Sequence, residues 1–146
     1  MLQYDLKELK EKGYVVSDTY INFNANPKGC KVGDCVKRAI CVASQIDYDE
    51  IKRELNRYKK ITHCEHFNDN KNWRPYVEKV LKGEKMSFPA ISGEARMNGY
   101  TFAKTYRKGR YILRMAHHLV ACVDGYIIDE WDSRDKCVYN AWKIKD

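Results

Sequence analysis

The spacing of apolar residues changes character near residue 110: before it most recur at helical intervals, and after it they come in short β-branched and aromatic runs. Residues 4 to 12, YDLKELKEK, set Leu6 and Leu9 among alternating charges and end at Gly13, which predicts a short surface helix with a glycine stop. In DTYINFN, residues 18 to 24, Tyr20, Asn22 and Asn24 alternate with Ile21 and Phe23, the period of a short strand, and NPKGCKVGD after it is loop. From Cys35 to Ser44 the residues Cys35, Val36, Ala39, Ile40, Val42 and Ala43 leave few polar positions, so a helix buried on most of its surface is expected. Asp47 and Glu50 have capping-box spacing for an amphipathic helix through about Tyr58, with Ile51 and Leu55 on its inner face.

THCEHFNDNKN, residues 62 to 72, reads as a polar loop. WRPYVEKVLKG after it predicts a third helix, capped by Asn72, with Pro75 in its first turn and Gly83 at its end. A fourth short helix, YTFAKTYR, follows Asn98-Gly99 and stops near Gly109. Beyond it, RYILRMA, HLVACV, YIIDEW and CVYNAWKI read as four strands, and Asp124-Gly125 between the second and third is a strong two-residue hairpin signal. Helices first and strands last, with no βαβ alternation, predict a single α+β domain over residues 1–146 in which the Cys35 helix packs on a C-terminal antiparallel sheet.

Composition narrows the partners. The 27 basic and 20 acidic residues give a formal charge of +7, but the signs are interleaved, so attraction to anions is general and no basic helix or aromatic-basic ribbon predicts specific nucleic-acid binding. A hydrophobic share of 44%, with 11 Tyr, 4 Phe and 3 Trp, supplies enough buried area to exclude disorder. No apolar run is long enough to cross a bilayer, and MLQYDLKELKEKG lacks the apolar block of a secretory signal, so no membrane partner and a cytoplasmic location are expected. The six cysteines, at 30, 35, 41, 64, 122 and 137, are then read as reduced thiols. The sequence carries no sign of oligomeric state.

Candidate chemistry begins at GDCVKRA, residues 33 to 39, where Cys35 falls in the first turn of the core helix. Unpaired N–H groups and the positive end of the helix dipole favour thiolate there. A small cysteine opening a core helix is also an ordinary packing residue, so a base is needed to decide. If the hairpin closes through Asp124-Gly125, Val123 faces Tyr126, and counting back sets His118 opposite Trp131 with Asp129 diagonally beside it on the same face. Asp132 would point to the other face of a regular strand, but the polar DSRD stretch breaks the strand there and could turn it back. Either aspartate could therefore orient His118, completing the arrangement that nucleophilic thiol chemistry requires.

The blocks GDCVKRA and HHLVACVDGYIIDEWDS, followed by CVYNAW, resemble a small papain-like family of phages and Firmicutes genomes with GDCVVRA-like and HLVAVVDGxIYDTWDS-like blocks. The likeness runs in order over about residues 20 to 142. It implies a papain-like fold with Cys35 as nucleophile, His118 as base and Asp132 or Asp129 as the orienting acid, no cofactor, and a peptide or protein substrate cleaved at a peptide or isopeptide bond. Acyl transfer and glutamine deamidation also occur on this fold. The Cys-Gly-Ser-Cys-Trp block of papain is absent, as is the glutamine that donates to its oxyanion. Asn24, Asn26 or the Cys35 backbone N–H could take that role, and Asn26 is singled out, although an Asn before Pro27 is also a turn former.

Other features weigh less. His63-Cys64-Glu65-His66 offers soft ligands, but no second CxxC or HxxxH pair accompanies it, so a solvated loop is expected and no metal. Arg38, inside an apolar helix, requires an acceptor, either Asp34 or a carboxylate of the sheet. Trp131 could wall the site beside His118 and touch substrate. The competing reading keeps the papain-like scaffold without catalysis, as in a phage-encoded inhibitor or adaptor docked on a host protein through a basic surface.

Overall fold

The structure, a computed structural model, describes residues 4–29, 33–64 and 70–144 of the chain. It is an α+β fold built on one mixed sheet. In chain order the elements are α1 (Leu6–Glu11), β1 (Val15–Ser17), β2 (Tyr20–Asn22), α2 (Cys35–Ser44), α3 (Tyr48–Thr62), α4 (Asn70–Pro75) running into a π-helical turn (Tyr76–Val80), β3 (Glu84–Ser87), α5 (Gly99–Thr105), β4 (Arg110–Met115), β5 (His118–Val123), β6 (Tyr126–Asp129) and β7 (Asn140–Ile144). The seven strands lie in the order β1-β2-β6-β5-β4-β7-β3.

The four C-terminal runs fall on the strands they predict, and Val123 pairs with Tyr126 across Asp124-Gly125, both in the left-handed region that a tight primed turn demands. The four C-terminal strands pair antiparallel, as expected, but the sheet extends beyond them. Strands earlier in the chain extend it at both edges, β1 and β2 on one and β3 on the other, and β2 runs parallel to β6, pairing Asn22 with Asp129. The added strands β1 and β3 are three and four residues long and carry no apolar alternation strong enough to register.

Both faces of the sheet are covered, which is why β4 and β5 read as almost unbroken apolar runs. Ile112, Leu119, Ala121, Val123 and Trp142 face the core under α2, α3 and α4, with Ile40, Ile51, Leu55 and Trp73 opposite. Tyr111, Leu113, Val120, Cys122 and Ile127 face the other way, onto Phe102 and Ala103 of α5. Burying each large side chain contributes roughly 1.5–3 kcal/mol. α2 is buried from Val36 through Ala43, including Lys37 and Arg38 at 7% exposure each, as a helix pressed into the centre of the sheet must be.

Asp47 caps α3 by accepting from the Asp49 and Glu50 backbone N–H groups, and α3 continues a turn beyond the expected Tyr58, to a left-handed His63. The third helix also differs from expectation. Asn72 lies within α4 rather than capping it, buried with its amide donating to the Leu55 carbonyl at 3.1 Å. Pro75 falls at the end of α4 instead of in a first turn. Its ring cannot donate to the preceding turn, and the chain widens there, the Leu81 N–H reaching back five residues to Tyr76 O.

The start of α5 is seated on the loop that follows β6. Gly99 and Tyr100 donate to Lys136 O and Arg134 O, and a Cβ at Gly99 would lie 2.8 Å from the Arg134 Cα. Gly99→Ala is accordingly expected to lower unfolding free energy by about 1–3 kcal/mol, because backbone must move to admit one methyl. Urea titration checks this, as a lower midpoint at an unchanged slope.

Candidate active site

Three stretches of the sequence converge at the N-terminal end of α2: α2 with the loop before it, the start of β5 and the end of β6. Asp34, the residue before α2, makes no side-chain cap and turns its carboxylate elsewhere. Its Oδ1 accepts from Arg38 Nε at 2.8 Å, one helical turn on, and its Oδ2 accepts from Tyr48 Oη at 2.7 Å and Asn26 Nδ2 at 3.0 Å. Arg38 then reaches across to the sheet, donating from Nη1 to Asp129 Oδ1 at 2.7 Å and placing Nη2 3.4 Å from Glu130 Oε1. The Arg38, Asp34 and Asp129 side chains are 8%, 1% and 2% exposed, so the charges are paired where water cannot solvate them.

Asp129 is fully engaged. Oδ1 also accepts from the Glu130 N–H at 2.8 Å, while Oδ2 meets His118 Nε2 at 2.5 Å and the Ser133 hydroxyl at 3.5 Å. Its backbone is fixed too, since Phe23 N–H donates to Asp129 O at 2.9 Å, continuing the parallel β2 contact. With Nε2 committed to Asp129, the other ring nitrogen is left for the Cys35 thiol, which lines the same cleft as His118.

The electrostatics follow from this chain of contacts. Burial on its own pushes the Cys35 thiol up, but hydrogen bonds with His118 and from the Leu119 backbone N–H, with the charges of His118 and Arg38, outweigh it and hold the thiol below its ordinary range. For His118, burial disfavours the charged form, yet the bonds to Asp129 and Cys35 win and its pKa is pushed up to about 9. Both shifts favour a thiolate–imidazolium pair at neutral pH. Cys41 and Cys122, buried among apolar groups, shift the opposite way, to inert thiols. All five described cysteines are free.

The structure brings Cys35, His118 and Asp129 together and separates Asp132 from them. The Asp132 carboxylate is held by Arg134, at 2.8 Å from Nε and 2.7 Å from Nη2, and is 39% exposed. The strand does break after Asp129, but the chain turns Asp132 outward, where Arg134 ties it to Ser17 and Thr19 of the neighbouring β1–β2 hairpin. Asn26 is not available as an oxyanion donor: its amide donates to Asp34, and its oxygen accepts from Lys28 N–H at 2.9 Å, fixing the loop ahead of α2. Trp131 lies against His118, ring centroids 4.7 Å apart, and covers the outer side of the imidazole. Of the histidine-cysteine cluster, His63 and Cys64 follow α3, while Glu65 and His66 lie outside the described residues. No group of metal-ligating side chains occurs among the described residues.

A cleft of about 550 Å³ opens beside Cys35, walled by Trp73 of α4, the β4–β5 turn from Met115 to His118, Arg114 and Tyr139. His117, the second central residue of that turn, is in the left-handed region, the pattern of a type II turn. The sequence signalled Arg38 but not its reach to three carboxylates, nor Tyr48 and Ser133 as supports. Those contacts join segments whose proximity no local pattern encodes. No helix among the described residues is long and apolar enough to cross a membrane. Comparisons with protein-family models, curated proteins and solved structures find no match to this chain.

Two outcomes check the site. Iodoacetamide alkylation of Cys35, followed by peptide mass spectrometry, should show an apparent pKa below about 8.5. In His118→Ala it should move upward, while Asp132→Asn leaves it in place. Arg38→Ala strands Asp34 and Asp129 in the interior and should cost about 3–5 kcal/mol, read by urea unfolding.

Proposed function

We propose that the protein is a papain-like cysteine hydrolase or acyl-transfer enzyme acting through Cys35, His118 and Asp129. One observation carries the reading: Cys35, at the start of α2, shares a cleft with His118, whose Nε2 is fixed 2.5 Å from the buried carboxylate of Asp129. That is the nucleophile, base and orienter order of thiol acyl chemistry. The resemblance of the Cys35 and His118 blocks to papain-like sequences supports the same assignment.

The Cys35 thiolate attacks the carbonyl carbon of a peptide or amide, forming a C–S bond and an oxyanion. The backbone N–H of Cys35, in the first turn of α2 where Asp34 provides no side-chain cap, is the donor for that charge. As the tetrahedral species collapses, the C–N bond breaks and imidazolium His118 delivers its proton to the departing amine, leaving an acyl thioester. His118, now neutral, takes a proton from water or another nucleophile that attacks the thioester, and the C–S bond breaks to restore the thiolate. Asp129 holds the ring and stabilises its charged form throughout, with Arg38 and Ser133 holding Asp129 in turn.

The test uses p-nitrophenyl acetate, with released nitrophenolate followed and the acetyl group located by mass spectrometry. Wild type should turn over repeatedly through an acetyl group on Cys35, and Cys35→Ala should be inactive. His118→Ala should be slower by roughly 10²–10⁴-fold. On an amide substrate such as a peptide p-nitroanilide, whose leaving amine needs a proton, the pH profile should rise as the thiol ionises and fall near pH 9, where His118 loses that proton. Undiminished turnover in Cys35→Ala would overturn the proposal.

A further inference from the structure

The cleft beside Cys35 holds a cation that the reaction cycle above does not use. Arg114, on β4, pairs directly with Leu119, and both line the cleft with Cys35. It lies on the α2 face of the sheet, where opposed residues are only about 5 Å apart at Cβ. On its other side it pairs with Asn140 of β7, whose Oδ1 accepts from Arg114 Nε at 2.9 Å. The guanidinium is also seated over the Tyr139 ring, 5.3 Å from the centroid, so its plane is fixed by one hydrogen bond and one aromatic face.

A second guanidinium, that of Arg96, lies over the same ring at 4.7 Å. Among the described residues neither has a carboxylate within ion-pairing distance, in contrast to Arg38, Arg57, Arg74 and Arg134, each of which has one. The described walls of the cleft carry no Asp or Glu at all. Arg114 presents the fork of donors that a carboxylate accepts in bidentate fashion, held in a half-buried setting where that interaction is screened less than at an open surface.

We infer that Arg114, with Arg96 behind it on Tyr139, is the specificity element of the cleft and selects acyl substrates that carry a carboxylate next to the bond attacked by Cys35. The inference rests on Cys35 being a nucleophile. The carboxylate has two sources in a peptide, an acidic side chain or a chain terminus, and the same forked donor accepts both.

The experiment uses short peptidyl vinyl sulfones, which Cys35 captures by adding its sulfur to the vinyl carbon while a proton goes to the neighbouring carbon, with no leaving group. One probe carries Glu, a second carries Gln at the same position, and a third is neutral in its side chains but ends in a free carboxylate beyond the sulfone. In wild type the Glu probe or the free-carboxylate probe should label Cys35 about ten- to hundredfold faster than the Gln probe, the range expected of a charge-assisted pair. Whichever of the two is preferred names the source. In Arg114→Gln the ratio should fall to about one, and in Arg114→Lys, which keeps the charge without the fork, it should fall part of the way. Equal labelling by all three probes in wild type, or a preference that survives Arg114→Gln, would overturn the inference while leaving the nucleophile intact. Failure of every probe to label Cys35 would instead overturn the nucleophile reading, and this inference with it.

Discussion

The buried guanidinium of Arg38 is the constraint around which the site is organised. A charge of this kind cannot be left alone in a core, and its donors reach Asp34, just before its own helix, and Asp129 and Glu130 at and just after the end of β6. Because Asp129 is fixed by Arg38 on one oxygen, its other oxygen is free to hold the imidazole of His118 in a single orientation. The ion pair therefore converts helix-on-sheet packing into the alignment of three side chains. Hydrophobic burial holds α2 against the sheet, and the polar network fixes how it is rotated and how far along it lies.

The network also explains the unusual edge of the sheet. β2 is only three residues long, yet it lies parallel to β6 and sets the backbone of Asp129 through Asn22 and Phe23. Without it the last residue of β6 would be a strand end, the mobile sort of position at which a positioning carboxylate loses precision. The loop beyond carries Ser133 back onto Asp129 and is in turn anchored by α5 and by Arg134.

Much of this was legible in the sequence, and for identifiable reasons. The Asp124-Gly125 turn fixes the register of β5 against β6, and that register alone sets His118 beside Asp129 and Trp131. The apolar run after Cys35 marked the buried helix, and an arginine within it demanded acidic partners. Asp132 was harder to place because a broken strand has no period: its direction is set by Arg134, whose other bonds go to residues more than a hundred positions away. The edge strands and the extent of α4 escaped for a related reason, since elements of three to six residues carry too few positions for a pattern, and tertiary contacts decide them.

The bond from Arg38 to Asp129 closes a loop of 91 residues. Closing so long a loop costs chain entropy before any contact rewards it, and β2 must wait equally for β6 to be made. On a ribosome, α2 exists long before residue 129 does, so a growing chain carries Cys35 without the imidazole and carboxylate that ionise it. On the proposed reading, the thiol thus becomes a reactive group only in the completed fold, and the chain is spared an exposed nucleophile during its own synthesis.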